Sequence, residues 1–115
     1  LSSGYVDAFY RKALAVRDHL RAEFNTQFET VDAIATPTTP TPAFVIGENE
    51  DPLAMYAGDI FTVPINLAGV PALSVPMGYV TRGGASLPVG LQLIGAHGQE
   101  ELLCDIGAVI ERTTA

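Results

Sequence analysis

From Tyr5 to Phe28 the apolar residues Tyr5, Phe9, Ala13, Val16, Leu20, Phe24 and Phe28 recur at spacings of three and four. That period stacks them on one side of a helix. It predicts a single amphipathic helix over residues 4–30 whose stripe packs into a core. Ser2 or Ser3 is placed to cap its first free amides, Asp7 complements its positive end, and Asn25 and Thr26 weaken its last turn. The pattern then shortens. Val31 to Thr36 is a brief apolar run that predicts a buried strand ended by Pro37.

The run Thr36-Pro37-Thr38-Thr39-Pro40-Thr41-Pro42 can be neither helix nor central strand, and reads as a stiff extended segment with free hydroxyls. A rigid connector and one wall of a binding cleft fit it equally. Ala43 to Gly47 is a short apolar piece, and Gly47 to Asp51 a solvated acidic turn. After Asp51 and as far as Pro76 the chain is almost wholly apolar, yet carries the lone carboxylate Asp59 and is broken by four prolines and two glycines. It therefore predicts short pieces. One is a helix capped by Asp51, begun by Pro52 and running to about Asp59 or Phe61. Another is a helix from near Pro64 to Ala68, closed by a left-handed Gly69. The last is a buried strand, Ala72–Pro76.

Residues 77–88, with Arg82-Gly83-Gly84-Ala85-Ser86, predict a flexible turn. Val89–Gly95 is the clearest strand, apolar except for Gln92, whose amide needs partners if buried. Gln99–Thr113 predicts a helix with Leu102, Leu103, Ile106 and Ile110 on one face and Gly98 as its cap. The order helix, strand, short helices, strand pair, helix predicts an α/β architecture, helices covering a sheet.

Composition adds one constraint. Hydrophobic residues make up 48% of the 115 and mean hydropathy is +0.27, high for so small a globule, where surface dominates. Together with a start at Leu1 without Met, this predicts a piece of one domain, residues 1–115, whose apolar surface is covered by more chain or a partner. The formal net charge is −7, and Arg11, Lys12, Arg17 and Arg21 alternate with Asp18 and Glu23 on a solvated helix face. Direct nucleic-acid binding is excluded on that balance. Cys104 is the only cysteine, so no internal disulfide forms, and its apolar neighbours predict a buried, inert thiol in a reducing compartment. No signal peptide or membrane-length apolar run is present, which predicts a soluble, cytoplasmic protein, organellar in a eukaryote.

The chain holds no self-contained catalytic constellation. His19 lies on the polar side of the first helix and His97 in a glycine-rich turn, neither in metal-ligand spacing. Lys12 is the only lysine; Ser74 lacks the glycine elbow that exposes a nucleophile; Gly83-Gly84 is followed by no phosphate-loop Lys. Asp59 remains, with two readings. It caps a short helix at a surface, or, sunk among Tyr56, Ile60 and Phe61, it grips a substrate ammonium where water is excluded.

The segments Leu1 to Tyr10, Thr36-Pro37-Thr38, Asp51 to Tyr56, Asp59 to Pro64, Asn66 to Pro71 and Gly90 to Gly95 resemble, in order, the C-terminal part of the amidase signature family. The pattern Asp51-Pro52-Leu53-Ala54-Met55-Tyr56 with Asp59 is similar more narrowly to the A subunits of aspartyl/glutamyl-tRNA amidotransferases. The resemblance implies an α/β fold with helices covering a mixed sheet, several times longer than this chain. It also implies a Ser–cis-Ser–Lys centre N-terminal to everything present, so no catalytic residue is carried over. Such an A subunit releases ammonia from glutamine. The B subunit then uses ATP and Mg to amidate Glu-tRNA(Gln) or Asp-tRNA(Asn), and B and C are the expected partners. Contact with tRNA is expected through B only, and none with membrane. No cofactor belongs to this segment, which is expected to be inactive alone. The one site residue carried over is Asp59, expected to bind the glutamine α-ammonium; the arginine for its carboxylate would precede Leu1. Val6, where a second tyrosine is common, and Met77, where cysteine is common, depart from the pattern without touching Asp59. A hydrolytic amidase of small amides and a non-enzymatic interaction module are the alternatives.

Overall fold

Prolines and glycines place most of the breaks in the chain. The computed structural model describes residues 3–48 and 51–114. They form α1 (Ser3–Gln27), β1 (Ala33–Pro37), α2 (Pro52–Gly58), α3 (Val63–Ala68), β2 (Ala72–Arg82), β3 (Ala85–Gly95) and α4 (Glu100–Thr114). This is the α/β element order that the sequence predicts. The three strands make one sheet in the order β1-β3-β2, each neighbour pair antiparallel. Pro37 and Pro76 sit on the two edge strands. Pro88 sits where β3 has run past the end of β1, so no proline interrupts a doubly paired strand.

The strand pair is longer than its pattern predicts. Residues 77–82 and 85–88 are strand, and the turn is only Gly83-Gly84, with φ of +57° and +81°. Two successive left-handed residues match the twist of a tight hairpin, which glycine adopts without strain. A register shift between Pro76 and Gly78 marks a bulge.

Alternation along β3 sorts the core into two clusters. Leu91 and Leu93 face one way, with Val75, Leu73, Leu103, Ile106 and Ile110, so α4 covers that face. Ile94 faces the other way, with Ile65, Ala68 and Val70, and Leu20, Phe24 and Phe28 of α1 close over it. Gly107 lets α4 approach: an added Cβ would lie 3.0 Å from Val75.

The expectations for α1 are corrected at several points. Only the Leu20–Phe28 end of its stripe is covered, because six-residue α3 is too short to reach further; Tyr5, Phe9 and Val16 are exposed. The helix also ends at Gln27 rather than residue 30. Of its expected caps, Ser2 lies outside the described residues and Ser3 is already helical. Nor is the whole basic series a solvated face. Arg21 is half-buried, and its Nε donates to the Ala68 carbonyl at 2.9 Å. That closes the C-terminus of α3 beside left-handed Gly69 (φ +68°), where a cation complements the helix dipole. Arg21→Ala is expected to cost about 1 kcal/mol, read as a lower thermal midpoint; an unchanged midpoint would show that α3 does not need the cap.

Cys104 is also exposed, against expectation. Its neighbour Leu103 points into the sheet, and one residue along a helix turns a side chain by about 100°. Among the described residues, no helix is long and apolar enough to cross a membrane.

Candidate functional site

The sheet face opposite α4 carries a row of polar side chains. Pairing places Thr36 of β1, Gln92 of β3 and Ser74 of β2 side by side. The Gln92 amide nitrogen donates to Thr36 Oγ1 at 3.0 Å and to the Phe61 carbonyl at 2.8 Å. Gln92 is 5% exposed, the one buried polar residue among those described, so its expected requirement for partners is met. Thr36 Oγ1 in turn donates to the Pro37 carbonyl at 3.0 Å.

The Thr/Pro segment leaves this row at a fixed angle. Thr38 N donates to the Gly90 carbonyl at 3.1 Å, and Thr38 Oγ1 and Ser74 Oγ are hydrogen-bonded at 2.7 Å. The two hydroxyls fill the space above Gly90, where a Cβ would lie 2.7 Å from Ser74 Oγ and 2.8 Å from Thr38 Oγ1. The segment connects rigidly and also lines two open cavities. Thr36, Pro37 and Thr39–Pro42 line an open cavity of about 380 Å³ with Met77, Val80 and β3. Thr39 also lines a second cavity, of about 490 Å³, with Phe44, Pro52, Met55, Tyr56, Gly58 and Asp59.

Asp59 comes to that second cavity by local chemistry. Asp51 caps α2, its carboxylate accepting from Leu53 N at 3.1 Å, and Pro52 opens the first turn. The helix stops at Asp59, whose own carbonyl accepts from Thr62 N at 3.1 Å and Val63 N at 3.0 Å. Asp59 is thus a C-cap through its backbone, while its side chain makes no hydrogen bond or ion pair among the described residues. It is not sunk among Tyr56, Ile60 and Phe61 as expected. Tyr56 is 75% and Ile60 60% exposed, Asp59 itself is exposed, and Phe61 is half-buried. The reason is that α2 has no buried residue; it is an outer element, and its carboxylate opens to the cavity.

A free carboxylate at the rim of a mostly apolar cavity, with a hydroxyl and a phenol nearby, suits a small ligand bearing an ammonium. The other candidate groups do not join it. Ser74 is held by Thr38, and Lys12 lines a separate groove on α1 with Phe9, Val16 and Leu67. His97 lines a cavity with Arg21 and Asn25, and His19 lies 3.9 Å from Glu23. Among the described residues no three His, Cys, Asp or Glu side chains could hold a metal. Of the acidic turn, Glu48 binds Arg82 at 2.7 Å and so ties the segment after Pro42 to the hairpin; Asn49 and Glu50 lie outside the described residues. The link from Gln92 to Phe61 was invisible to pattern reading, though the need for one at Gln92 was not.

A family model described as Amidase matches residues 1–104. The chain is similar to the A subunit of glutamyl-tRNA(Gln) amidotransferase from Geobacillus stearothermophilus, 54% identical over 99% of this chain and 23% of that protein. It thus spans about a quarter of the length of such relatives. The crystal structure of the corresponding protein from Thermotoga maritima matches 97% of this chain and 24% of its own, at TM-score 0.86 and 44% identity. A crystal structure described as an amidase matches 95% of this chain and 26% of its own, at TM-score 0.80 and 32% identity.

Proposed function

We propose, from the premise that this chain belongs to the Amidase family, that it forms one wall of a glutamine pocket in the A subunit of a tRNA-dependent amidotransferase. The observation that carries the reading is the Asp59 carboxylate, without a side-chain partner among the described residues, at the cavity bounded by α2 and Thr39. It binds the α-ammonium of glutamine through a charge-assisted hydrogen bond, with Met55 and Phe44 lining the cavity beside it. The family resemblance implies that glutamine is hydrolysed by a serine–serine–lysine centre elsewhere in the full-length chain; Ser74 and Lys12 here stand on separate elements. The ammonia serves amidation of Glu-tRNA(Gln) or Asp-tRNA(Asn) on the B subunit, with ATP and Mg, in a cytoplasmic complex that includes C. Whole relatives named as the A subunit of that amidotransferase, at 54% and 44% identity, support this reading.

A second reading is hydrolysis of small amides without a tRNA partner, favoured by the 32% identical structure described as an amidase. Ammonia release by the full-length enzyme, measured with glutamine and with propionamide, separates the two. Strong preference for glutamine is expected, because only glutamine offers Asp59 an ammonium. Equal kcat/KM for both amides would overturn the first reading.

A further inference from the structure

We infer that Gln92 is a positioning residue: from inside the sheet its amide holds the turn that carries Asp59, and so sets how the pocket meets its ligand. The inference rests on the assignment of Asp59 to the glutamine ammonium and adds the group that places it. α2 has no buried residue, so its own packing does not fix where its C-terminal end points. The residues just after Asp59 do. The turn continues through Ile60 and Phe61 to Thr62, and the Phe61 carbonyl receives the Gln92 amide at 2.8 Å.

The direction of that bond is unambiguous. A backbone carbonyl only accepts, so the nitrogen end of Gln92 must face Phe61. Thr36 Oγ1 spends its single proton on the Pro37 carbonyl and presents a lone pair to the same nitrogen at 3.0 Å. Both donors of one NH₂ group are engaged. One bridges 56 residues back to β1, and the other reaches 31 residues back to the α2–α3 turn. Gln92 itself cannot drift, since it sits on the doubly paired central strand at 5% exposure. A buried donor pair on a rigid strand is therefore the fixed point from which the Asp59 turn hangs.

The experiment is a mutant cycle in the full-length enzyme with its partner subunits, reading kcat and KM for glutamine. Gln92→Met keeps length and removes both donated bonds. It is expected to raise KM about 10-fold with kcat within about 3-fold, the effect of losing the one of the two that holds the Phe61 carbonyl. Thr36→Val removes the acceptor on β1 and the bond from that hydroxyl to the Pro37 carbonyl, spares the bond to Phe61, and leaves KM within about 2-fold, which a general loss of sheet stability would not do. The Asp59→Asn/Gln92→Met double variant has the KM of Asp59→Asn alone, because Gln92 acts through Asp59. Should Gln92→Met lose its thermal transition, Gln92→Asn, too short to reach Phe61, carries the same cycle. If Asp59→Asn raises KM while the Gln92 variant does not, or if the two effects multiply, the inference fails and the glutamine reading stands. If Asp59→Asn leaves KM unchanged, both fail.

Discussion

Asp59→Asn in the full-length enzyme, assembled with its partner subunits, raises the KM for glutamine by about 30-fold or more. That corresponds to about 2 kcal/mol, the loss expected when a hydrogen bond between charged groups is removed. Asparagine keeps the shape of the side chain and removes only its charge, so the change isolates the attraction to the ammonium. The fold is expected to be untouched. Asp59 ends α2 through its backbone N–H and carbonyl, and these survive the substitution. A lower thermal midpoint with unchanged KM would instead assign Asp59 to structure alone.

Leu103→Ala is expected to produce the largest loss of stability, about 2–5 kcal/mol. Leu103 is 2% exposed and packs with Val75 and Leu93. It also occupies the space that Gly95 leaves, for a Cβ there would lie 3.0–3.1 Å from its branched end. Truncation opens a cavity that neither the sheet nor Gly95 can fill. The site lies on the other sheet face, so the folded fraction should keep its KM for glutamine. Denaturant unfolding of the full-length enzyme measures the first, and saturation kinetics the second. A loss below about 1 kcal/mol would mean that α4 re-seats on the sheet.

How far the sequence disclosed this arrangement depends on the range of the interactions involved. Asp51 capping α2, Pro52 opening it and Gly69 closing α3 are contacts within four residues, and each was legible from residue type alone. β3 was legible because it is buried on both faces. The outer hairpin was not, because Met77, Tyr79 and Val80 are exposed and no alternation marks strands without a buried face. The stripe on α1 was legible as a helix but not as half-covered, since its period carries no information about the length of the neighbour that covers it. Cys104 was misplaced because a run of apolar letters does not say which side of a helix each letter takes.

The candidate site divides along the same line. Family resemblance singled out Asp59, and the requirement for a partner singled out Gln92, but nothing local connected them. By itself the sequence determined the order and type of the elements, the caps of the short helices and the family to which the chain belongs. These rest on backbone chemistry within a turn and on motifs read in order. Only the tertiary structure decided that Gln92 meets Phe61, that Arg21 closes α3 and that the Asp59 carboxylate opens to a cavity instead of a core. Each of those depends on residues 31 to 47 positions apart or on an element left at the surface. Such contacts form only once strand pairing has brought distant parts of the chain within about 3 Å, the reach of a hydrogen bond.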